Sequence, residues 1–264
     1  MAAPLIPPSQ PGQQGGGTAP VADRKVFTAV VHVLNSGCAW RYLPPMFGTS
    51  PATAHRRFTT WTKAGLWRRL HRAVLDELGA RGELDRTSAI IDAASVRARR
   101  GSLTGPNPVD RGKKGSKLHV LSEAQGIPPA LAVSGANVHD SQAFKPLLLG
   151  LPAVRPRRRR PVKVRADKAY FSAEHLAWLR SRRLIPRIAR PGIESGEQLG
   201  RHRWKIERSI AWLFCYRRLA VRHERIGSHF LAFLGLAAVL TCYKNSRNSP
   251  GETTSEPRAR GFRV

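Results

Sequence analysis

Two aspartates in a strongly basic chain follow runs of apolar residues. Asp92 comes at the end of the apolar part of "TSAIIDAASV", and Asp167 ends "PVKVRAD". Both runs predict β-strands, and an unpaired carboxylate in such a buried position costs several kcal/mol unless a cation compensates it. One or two carboxylates together with substrate phosphates are the oxygen ligands that Mg²⁺ prefers. The pattern therefore predicts a site for hard divalent cations.

Glu207 is the candidate third acid. In "WKIERSIAWL" the helical spacing places Ile206 and Ile210 on an apolar stripe, with Glu207 at the edge of the packed face. A carboxylate at that edge is able to reach the predicted sheet. The sequence therefore predicts that Asp92, Asp167 and Glu207 form one metal-binding group.

Each of these acids also has a local explanation that the residues alone leave open. Asp92 could cap a turn, and Asp167 could cap the helix that follows it. Glu207 could pair with Arg203 or with Arg208, which lie within one helical turn of it.

The charge balance indicates a polyanionic partner. The 264 residues include 45 Lys and Arg against 17 Asp and Glu, a formal net charge of +28. Solubility alone needs only about 2 to 8 net charges in a small domain, so this excess favours nucleic acid, whose phosphates release counterions on binding. Cys38, Cys215 and Cys242 show no CxxC pairing, which argues against a zinc site or a disulfide framework.

The elements that must position the acids fall into two regions. Residues 1–20 are rich in Pro, Gly and Gln and are predicted to be disordered or loosely docked. Residues 21–82 have helical spacing, residues 83–246 alternate strands and helices around a mixed sheet flanked by helices, and 247–264 form a tail predicted to be disordered. The apolar run of 14 residues from Phe230 to Tyr243 is too short to span a bilayer and predicts a buried core helix.

The helical region resembles a helix-turn-helix. Ser50 is a predicted N-cap with Pro51 at the first helical position, and the helix that follows carries His55, Arg56 and Arg57. These three residues are predicted to contact DNA in the major groove. An ordinary three-helix bundle with a solvated basic face stays open as an alternative.

Four secondary expectations concern other segments. The loop "ARRGSLTGPNPVDRGKKG" is expected to be mobile without a ligand, and the charge block 155–161 to be solvated or to face DNA. Asp140 is expected to be an N-cap rather than a ligand. Trp204 and Trp212 are expected to be core residues.

Five segments, in this order, resemble DDE transposases of the bacterial insertion-sequence-five group. They are "LNSGCAWRYLPPMFG" with "TAHRRFTTWTKAGLWRRL", "IIDAASVRA", "GKKGSKLHVLSEAQGIPPALAVSGANVHDS", "VRADKAYFS" and "RWKIERSIAWLFCYRRL". The resemblance covers nearly all of the chain and places the three acids at the positions of the family's catalytic residues.

The resemblance implies an RNase H-like fold in which the three acids bind two Mg²⁺ ions, with Mn²⁺ as a substitute. Cleavage at the element's ends and transesterification into target DNA would then use one site. The implied partner is double-stranded DNA, both element ends and target, bound by a homodimer or higher assembly in the bacterial cytoplasm and nucleoid, with no membrane partner. Lys117 and His119 share one face of a strand, and the resemblance implies that they contact DNA near the metal site, while a solvent-facing polar side of the strand stays open. Arg203, one turn before Glu207, is predicted either to bind a DNA phosphate or to hold the carboxylate of Glu207 in place.

The sequence also departs from the wider superfamily. Seven residues before and after Glu207, where that superfamily has a tyrosine and a basic residue, stand Gly200 and Phe214. Members of the family usually have an extra leading helical segment, so the start at "APLIPPS" suggests either a shortened amino terminus or a misassigned start. Two other functions stay open: a non-catalytic DNA-binding remnant or repressor, and a structure-selective nuclease on the same fold.

Overall fold

The computed structural model describes residues 2–8, 20–151, 161–192 and 196–247. Most of the charge block at 155–161 and of the carboxy-terminal tail lies outside the described residues. So does the greater part of the Pro/Gly/Gln-rich segment, but Ala3–Leu5 form a short 3-10 helix. The carbonyl oxygen of Leu5 accepts a hydrogen bond from Arg69, at 3.1 Å, which ties this piece to the helical region.

The amino-terminal region is helical, as predicted. It contains α1 (Asp23–Ser36), α2 (Pro51–Lys63) and α3 (Leu66–Ala80), with two 3-10 turns between α1 and α2. Ser50 is the N-cap of α2, because its hydroxyl accepts a hydrogen bond from the backbone N–H of Thr53 at 3.1 Å. The predicted start of this helix is therefore confirmed.

A seven-stranded mixed sheet follows. Its strands are β1 (Ser88–Ala98), β2 (Gly105–Pro106), β3 (Lys114–Glu123), β4 (Ala130–Gly135), β5 (Lys163–Ala166), β6 (Ile185–Ile188) and β7 (Val221–Arg222). β3 is antiparallel to both β1 and β4, whereas β5 and β6 continue the sheet parallel to β1. This arrangement confirms the predicted RNase H-like sheet. The short strands β2 and β7 were not predicted.

Helices cover both faces of the sheet. One face carries α6 (Gly196–Phe214) and α8 (Gly227–Arg247), and the other carries α4 (Phe144–Leu149) and α5 (Ala173–Ser181). A short helix, α7 (Arg217–Ala220), connects α6 to β7.

The helical region and the sheet share a core. One cluster of buried side chains joins Val30 and Phe58 of the helical region to Leu118 of β3 and Phe233 of α8. Phe58 and Phe233 stack with their ring centroids 4.5 Å apart. The proposed domain boundary near residue 83 stays a prediction, and packing across it is continuous among these residues.

Helix α8 (Gly227–Arg247) extends beyond both ends of the apolar run Phe230 to Tyr243 from which it was predicted. Its segment Gly227–Asn245 has the length and composition to cross a membrane, but 67% of that window is buried inside the protein. The prediction of a buried core helix is confirmed by this burial.

Glu123 at the end of β3 is a buried acid with a structural task. Its carboxylate accepts hydrogen bonds from the backbone N–H groups of Asp85 (2.9 Å), Gln125 (2.8 Å) and Ile127 (2.9 Å). Burial raises the pKa of Glu123 from 4.5 to about 7, and these hydrogen bonds oppose that rise. The carboxylate thus fastens the turn between β3 and β4 to the segment before β1.

This raised pKa predicts a pH dependence of stability. Between pH 4.5 and about 7 the unfolded chain loses the Glu123 proton while the folded protein keeps it, so the free energy of unfolding should fall as pH rises through this window. The full effect is about 3 kcal/mol. In urea titrations at pH 5 and pH 8, Glu123→Gln should lose this part of the pH dependence. Glu77→Gln is the control, because 44% of the Glu77 side chain is exposed on α3, and this variant should keep the pH dependence. Equal pH dependence in wild type and Glu123→Gln would contradict the prediction.

Candidate active site

Asp92 and Asp167 line the same cleft. The parallel register pairs Ile90 of β1 with Arg165 of β5, so Asp92 and Asp167 lie level with each other, two residues further along each chain. Arg203 of α6 also lines the cleft. The cleft volume of about 20 Å³ is room for one or two particles of the size of a water molecule.

Burial and neighbouring charges act on Asp92 in opposite directions. Burial raises the pKa of Asp92 above its usual range, and the nearby carboxylates of Asp167 and Asp140 raise it further. The backbone N–H of Ala93, which donates to Asp92 Oδ1 at 2.8 Å, and the guanidinium of Arg203 lower it. The cleft therefore concentrates negative charge, and Arg203 is a counter-ion for it.

Asp167 has a local partner as well. Its side chain accepts a hydrogen bond from the backbone N–H of Ala169 at 2.9 Å and caps the 3-10 helix Lys168–Tyr170. The capping alternative is therefore realised for Asp167, while the residue also lines the cleft.

Glu207 does not line the cleft with the two aspartates. Its carboxylate pairs with Arg203, one turn earlier on α6, at an Nε–Oε1 distance of 2.9 Å, and 57% of its side chain is exposed. Within the described ranges, no group of three or more His, Cys, Asp or Glu is positioned to hold a metal ion. Arg203 thus stands between the aspartates and the candidate third acid.

Lys117 and His119 share one face of β3, as predicted, but it is the opposite face from Asp92. The register pairs Asp92 with Val120 and places His119 opposite Ala93. Direct contact of His119 with DNA is disfavoured, because its side chain is wholly buried and its Nε2 is 2.8 Å from the hydroxyl of Ser134. Burial lowers the pKa of His119 to about 4.

Lys117 pairs with a fourth acid, Asp140, which was expected to be an N-cap. Its ammonium is 2.8 Å from Asp140 Oδ1 and donates to the carbonyl of Val138 at 2.9 Å. The expectation that Asp140 is an N-cap is wrong, because His139 caps this 3-10 helix and Asp140 is its first residue.

Tyr170 is a residue near the aspartates that the sequence did not single out. Its hydroxyl is buried without a hydrogen-bond partner among the described residues. Burial raises the pKa of Tyr170, and Asp140, Asp92 and Asp167 raise it further. The segments "ANVHDS" and "DKAY", which adjoin the predicted strands, were the only signals in the sequence for Asp140 and Tyr170.

Two tryptophans of α6 differ from expectation. Trp204 is 49% exposed, so its assignment to the core is wrong. Trp212 is half-buried, and the guanidinium of Arg208 lies between the two rings, 4.7 Å and 4.8 Å from their centroids.

The model for the family described as "Transposase DDE domain" matches residues 83–242, which is well over half of the chain. The chain belongs to the DDE transposase family. A second family model, described as "Putative transposase of IS4/5 family", matches residues 1–71 of this transposase. The insertion-sequence resemblance is therefore confirmed.

Curated relatives agree with this assignment. The "Putative transposase for insertion sequence element IS402" of Burkholderia cepacia is 42% identical over 150 residues, which cover 55% of this transposase and 71% of that protein. The "Transposase for insertion sequence element IS1106" of Neisseria meningitidis serogroup B is 31% identical over 121 residues, which cover 41% of this transposase and 40% of that protein.

A solved structure, "Crystal structure of the Mos1 mariner paired end complex with Mn", aligns with 88% of this transposase and 82% of that chain at a TM-score of 0.30 and 12% identity.

Membership of the DDE transposase family implies the use of a divalent metal ion, and the cleft of this transposase fits one. Asp92 and Asp167 offer carboxylate oxygens, the donors that hard divalent ions take. A metal ion would also compensate the negative charge that burial makes costly at Asp92.

The predicted DNA-binding residues of α2 differ in exposure. His55 and Arg56 are exposed. The Arg57 side chain is only 12% exposed, pairs with Asp23 of α1 and lies over the ring of Trp61 at 5.4 Å. These internal contacts argue against a DNA contact for Arg57, whereas the DNA-binding roles of His55 and Arg56 stay predictions.

Proposed function

We propose that this transposase cleaves DNA at the ends of an insertion sequence and joins the freed ends to target DNA at the Asp92–Asp167 cleft. The observation that carries the proposal is that these two aspartates lie level in one cleft of an otherwise strongly basic protein. The proposed cofactor is a pair of Mg²⁺ ions, with Mn²⁺ as a substitute. Asp92 and Asp167 hold the ions, and Glu207 completes the site when it leaves Arg203.

The residues of the cleft have distinct tasks in this proposal. Divalent ions supply Lewis-acid stabilisation of the attacking and leaving oxygens of an in-line displacement. Asp92 and Asp167 provide fixed oxygen ligands from adjacent strands. Arg203, which is already the counter-ion of both Asp92 and Glu207, binds a DNA phosphate once Glu207 has moved. Lys117 keeps Asp140 beside the aspartates.

The proposed partners follow from charge and from the reaction. Double-stranded DNA, both element ends and target, fits a net charge of +28. Joining two ends requires that both are held together, so the proposed assembly on DNA is a homodimer or a higher oligomer. We place it in the bacterial cytoplasm, on the nucleoid.

The experiment uses the DNA that brackets the reading frame. With Mg²⁺ or Mn²⁺ the full-length protein should nick labelled flanking duplexes and join the 3′ ends to a supercoiled plasmid, and neither product should form in EDTA. Nicking without joined product would favour the structure-selective nuclease. Binding without either product in Mg²⁺ or Mn²⁺ would favour the non-catalytic repressor.

A further inference from the structure

The loop between β1 and β3 is held in place by the segment that follows α6. We call residues 99–114 the basic loop and residues 217–226 the strap. The strap runs from α7 through β7, which pairs with the last two residues of β1 (Arg97 with Val221, Ala98 with Arg222). β5 pairs with residues 88–90 on the same edge of β1, so the stretch that contains Asp92 lies between these two pairings.

Arg222 of the strap is almost completely buried, at 1% exposed. Its guanidinium donates to the carbonyl oxygens of Ser102 (2.6 Å) and Leu103 (2.9 Å) and to the hydroxyl of Ser116 (2.7 Å), and it lies over the ring of Phe230 at 5.4 Å. The rigid fork of arginine suits several acceptors at once. This buried cation thus fastens the start of the basic loop to the strap.

Further contacts strengthen the attachment. The backbone N–H of Ser102 donates to the carbonyl of Arg225 at 2.9 Å, and the Ser102 hydroxyl accepts from the N–H of Gly227 at 2.8 Å. Gly101 has a φ of 131° and leaves no space for a Cβ beside the Arg225 carbonyl. Only glycine adopts this backbone easily, so the close approach of loop and strap depends on it.

The strap is itself anchored in the helical region. Arg218, 5% exposed, donates to Glu224 Oε1 at 2.6 Å and to the carbonyl of Cys38, two residues after α1, at 2.7 Å. Loop, strap and helical region are therefore joined through two buried arginines.

The basic loop also holds its own shape. The N–H of Asn107 donates to the carbonyl of Lys113 at 2.9 Å, the N–H of Gly112 donates to the carbonyl of Asn107 at 2.9 Å, and Arg97 pairs with Asp110 at 2.8 Å. These contacts argue against the expectation that the loop is mobile without a ligand. The contacts of Arg222 could not be predicted from the Gly/Pro-rich loop sequence, because two of their acceptors are backbone carbonyls and Arg222 is more than a hundred residues away.

The exposed charged side chains of the loop and the strap are mostly positive. Six of these exposed basic residues define what we call the loop–strap surface: Arg99, Arg100, Arg111, Lys113, Lys114 and Arg225. The only acid of the loop, Asp110, is already paired with Arg97.

The surface lies at a distance from the cleft that suits duplex DNA. β1 runs without a break from Asp92 to Ala98, and the loop begins at Arg99. At roughly 3.3 Å per strand residue, the loop therefore begins about 23 Å beyond Asp92. That span corresponds to about seven base pairs at 3.4 Å each.

We propose that the loop–strap surface is a preformed binding site for the phosphate backbone of duplex DNA that extends from the Asp92–Asp167 cleft. The identity of the ligand as DNA rests on the proposed function. Arg222 is a positioning residue, because it holds the loop and does not touch the DNA. A surface held in advance binds without the entropy cost of ordering a loop.

The first test removes three charges and measures binding in EDTA, without catalysis. In the full-length protein, Arg111→Gln, Lys113→Gln and Lys114→Gln are combined, and a control combines Arg24→Gln, Lys163→Gln and Arg180→Gln, which are exposed elsewhere. The probe is a fluorescein-labelled duplex longer than the span from cleft to loop. The salt dependence of log Kd should become shallower by about 2 to 3 in the loop variant and by less than about 1 in the control.

Two duplexes distinguish the sources of the DNA. One carries the sequence that brackets the reading frame, and the other an unrelated sequence. If the loop variant loses salt dependence only on the first duplex, the surface binds element ends. If it loses the same amount on both duplexes, the surface binds the DNA backbone in general, target DNA included. Equal salt slopes for the loop and control variants on both duplexes would overturn the proposal.

The second test addresses the attachment. Arg222→Lys keeps the charge but loses the fork, and Ser102→Ala is a milder change in case Arg222→Lys does not fold. Trypsin should cut the basic loop at least several-fold faster in a folded variant than in wild type, and DNA affinity should fall although no exposed charge is lost. Unchanged digestion and affinity would refute the positioning role.

Metal-dependent DNA cleavage is measured separately and tests the proposed function. If wild type does not cleave DNA but the variants show the expected salt slopes, the proposed function fails and the loop–strap surface is still a DNA-binding site.

Discussion

Replacing Asp92 by asparagine should lower Mg²⁺-dependent DNA cleavage by about a thousandfold or more and change DNA affinity by less than about twofold. Asparagine keeps the size of the side chain and removes its charge. Lewis-acid stabilisation contributes several kcal/mol to the transition state, and about 1.4 kcal/mol corresponds to a tenfold change in rate. Binding depends mainly on Lys and Arg, which the substitution leaves intact.

The measurement is single-turnover nicking of the flanking duplex, with anisotropy binding in EDTA on the same preparation. Asp167→Asn should behave in the same way, because Asp167 lines the same cleft. Asp76→Asn is the matched control, since Asp76 is an exposed acid on α3 that pairs with Arg72. Cleavage by Asp92→Asn within tenfold of wild type would remove Asp92 from the catalytic group.

Much of the fold could be predicted from the sequence, because the signals were local. Alternating or continuous apolar runs indicated β1, β3, β4, β5 and β6, and Ser50 followed by Pro51 marked the start of α2. β7 has only two residues and carries the charged sequence around Arg222, so neither its length nor its pattern indicated a strand. Its position depends on hydrogen bonds to residues more than a hundred positions away.

The site could be predicted only in part. The apolar runs indicated that Asp92 and Asp167 each follow a buried strand, and the parallel register of β1 with β5 brings both residues to one cleft. The pairing of Glu207 with Arg203 was one of the open alternatives, and helical spacing could not decide between it and the cleft. The face of β3 that carries Lys117 and His119 depends on its register with β1, which the sequence of one strand does not specify.

The local alternatives and the catalytic proposal are compatible for the two aspartates. Asp92 accepts a hydrogen bond from Ala93, and Asp167 caps the 3-10 helix after β5. A carboxylate has about four acceptor positions, so one hydrogen bond to the backbone orients the group and leaves oxygen lone pairs for a metal ion. These contacts thus favour a preorganised pair of ligands.

Glu207→Gln should weaken both cleavage and metal binding, and Arg203→Gln should separate the two effects. In the structure Arg203 is the partner of Glu207 and also lowers the pKa of Asp92. If Glu207 becomes a ligand, Glu207→Gln should reduce Mn²⁺ affinity at least tenfold, because even removal of a group that only supports a metal ligand costs at least about tenfold. DNA cleavage should fall about a hundredfold or more. Arg203→Gln removes a cation that competes for the same carboxylates, so Mn²⁺ affinity should rise while DNA cleavage falls.

Mn²⁺ binding by electron paramagnetic resonance, without DNA, reads out the metal site independently of activity. Lys205→Gln is the control, because it removes one positive charge from the same helix beside Trp204. A purely structural ion pair predicts a different pattern: Glu207→Gln and Arg203→Gln would both leave Mn²⁺ affinity at the control value. In that case the metal ions would depend on Asp92 and Asp167, and Asp140, which Lys117 holds nearby, would become the next carboxylate to replace.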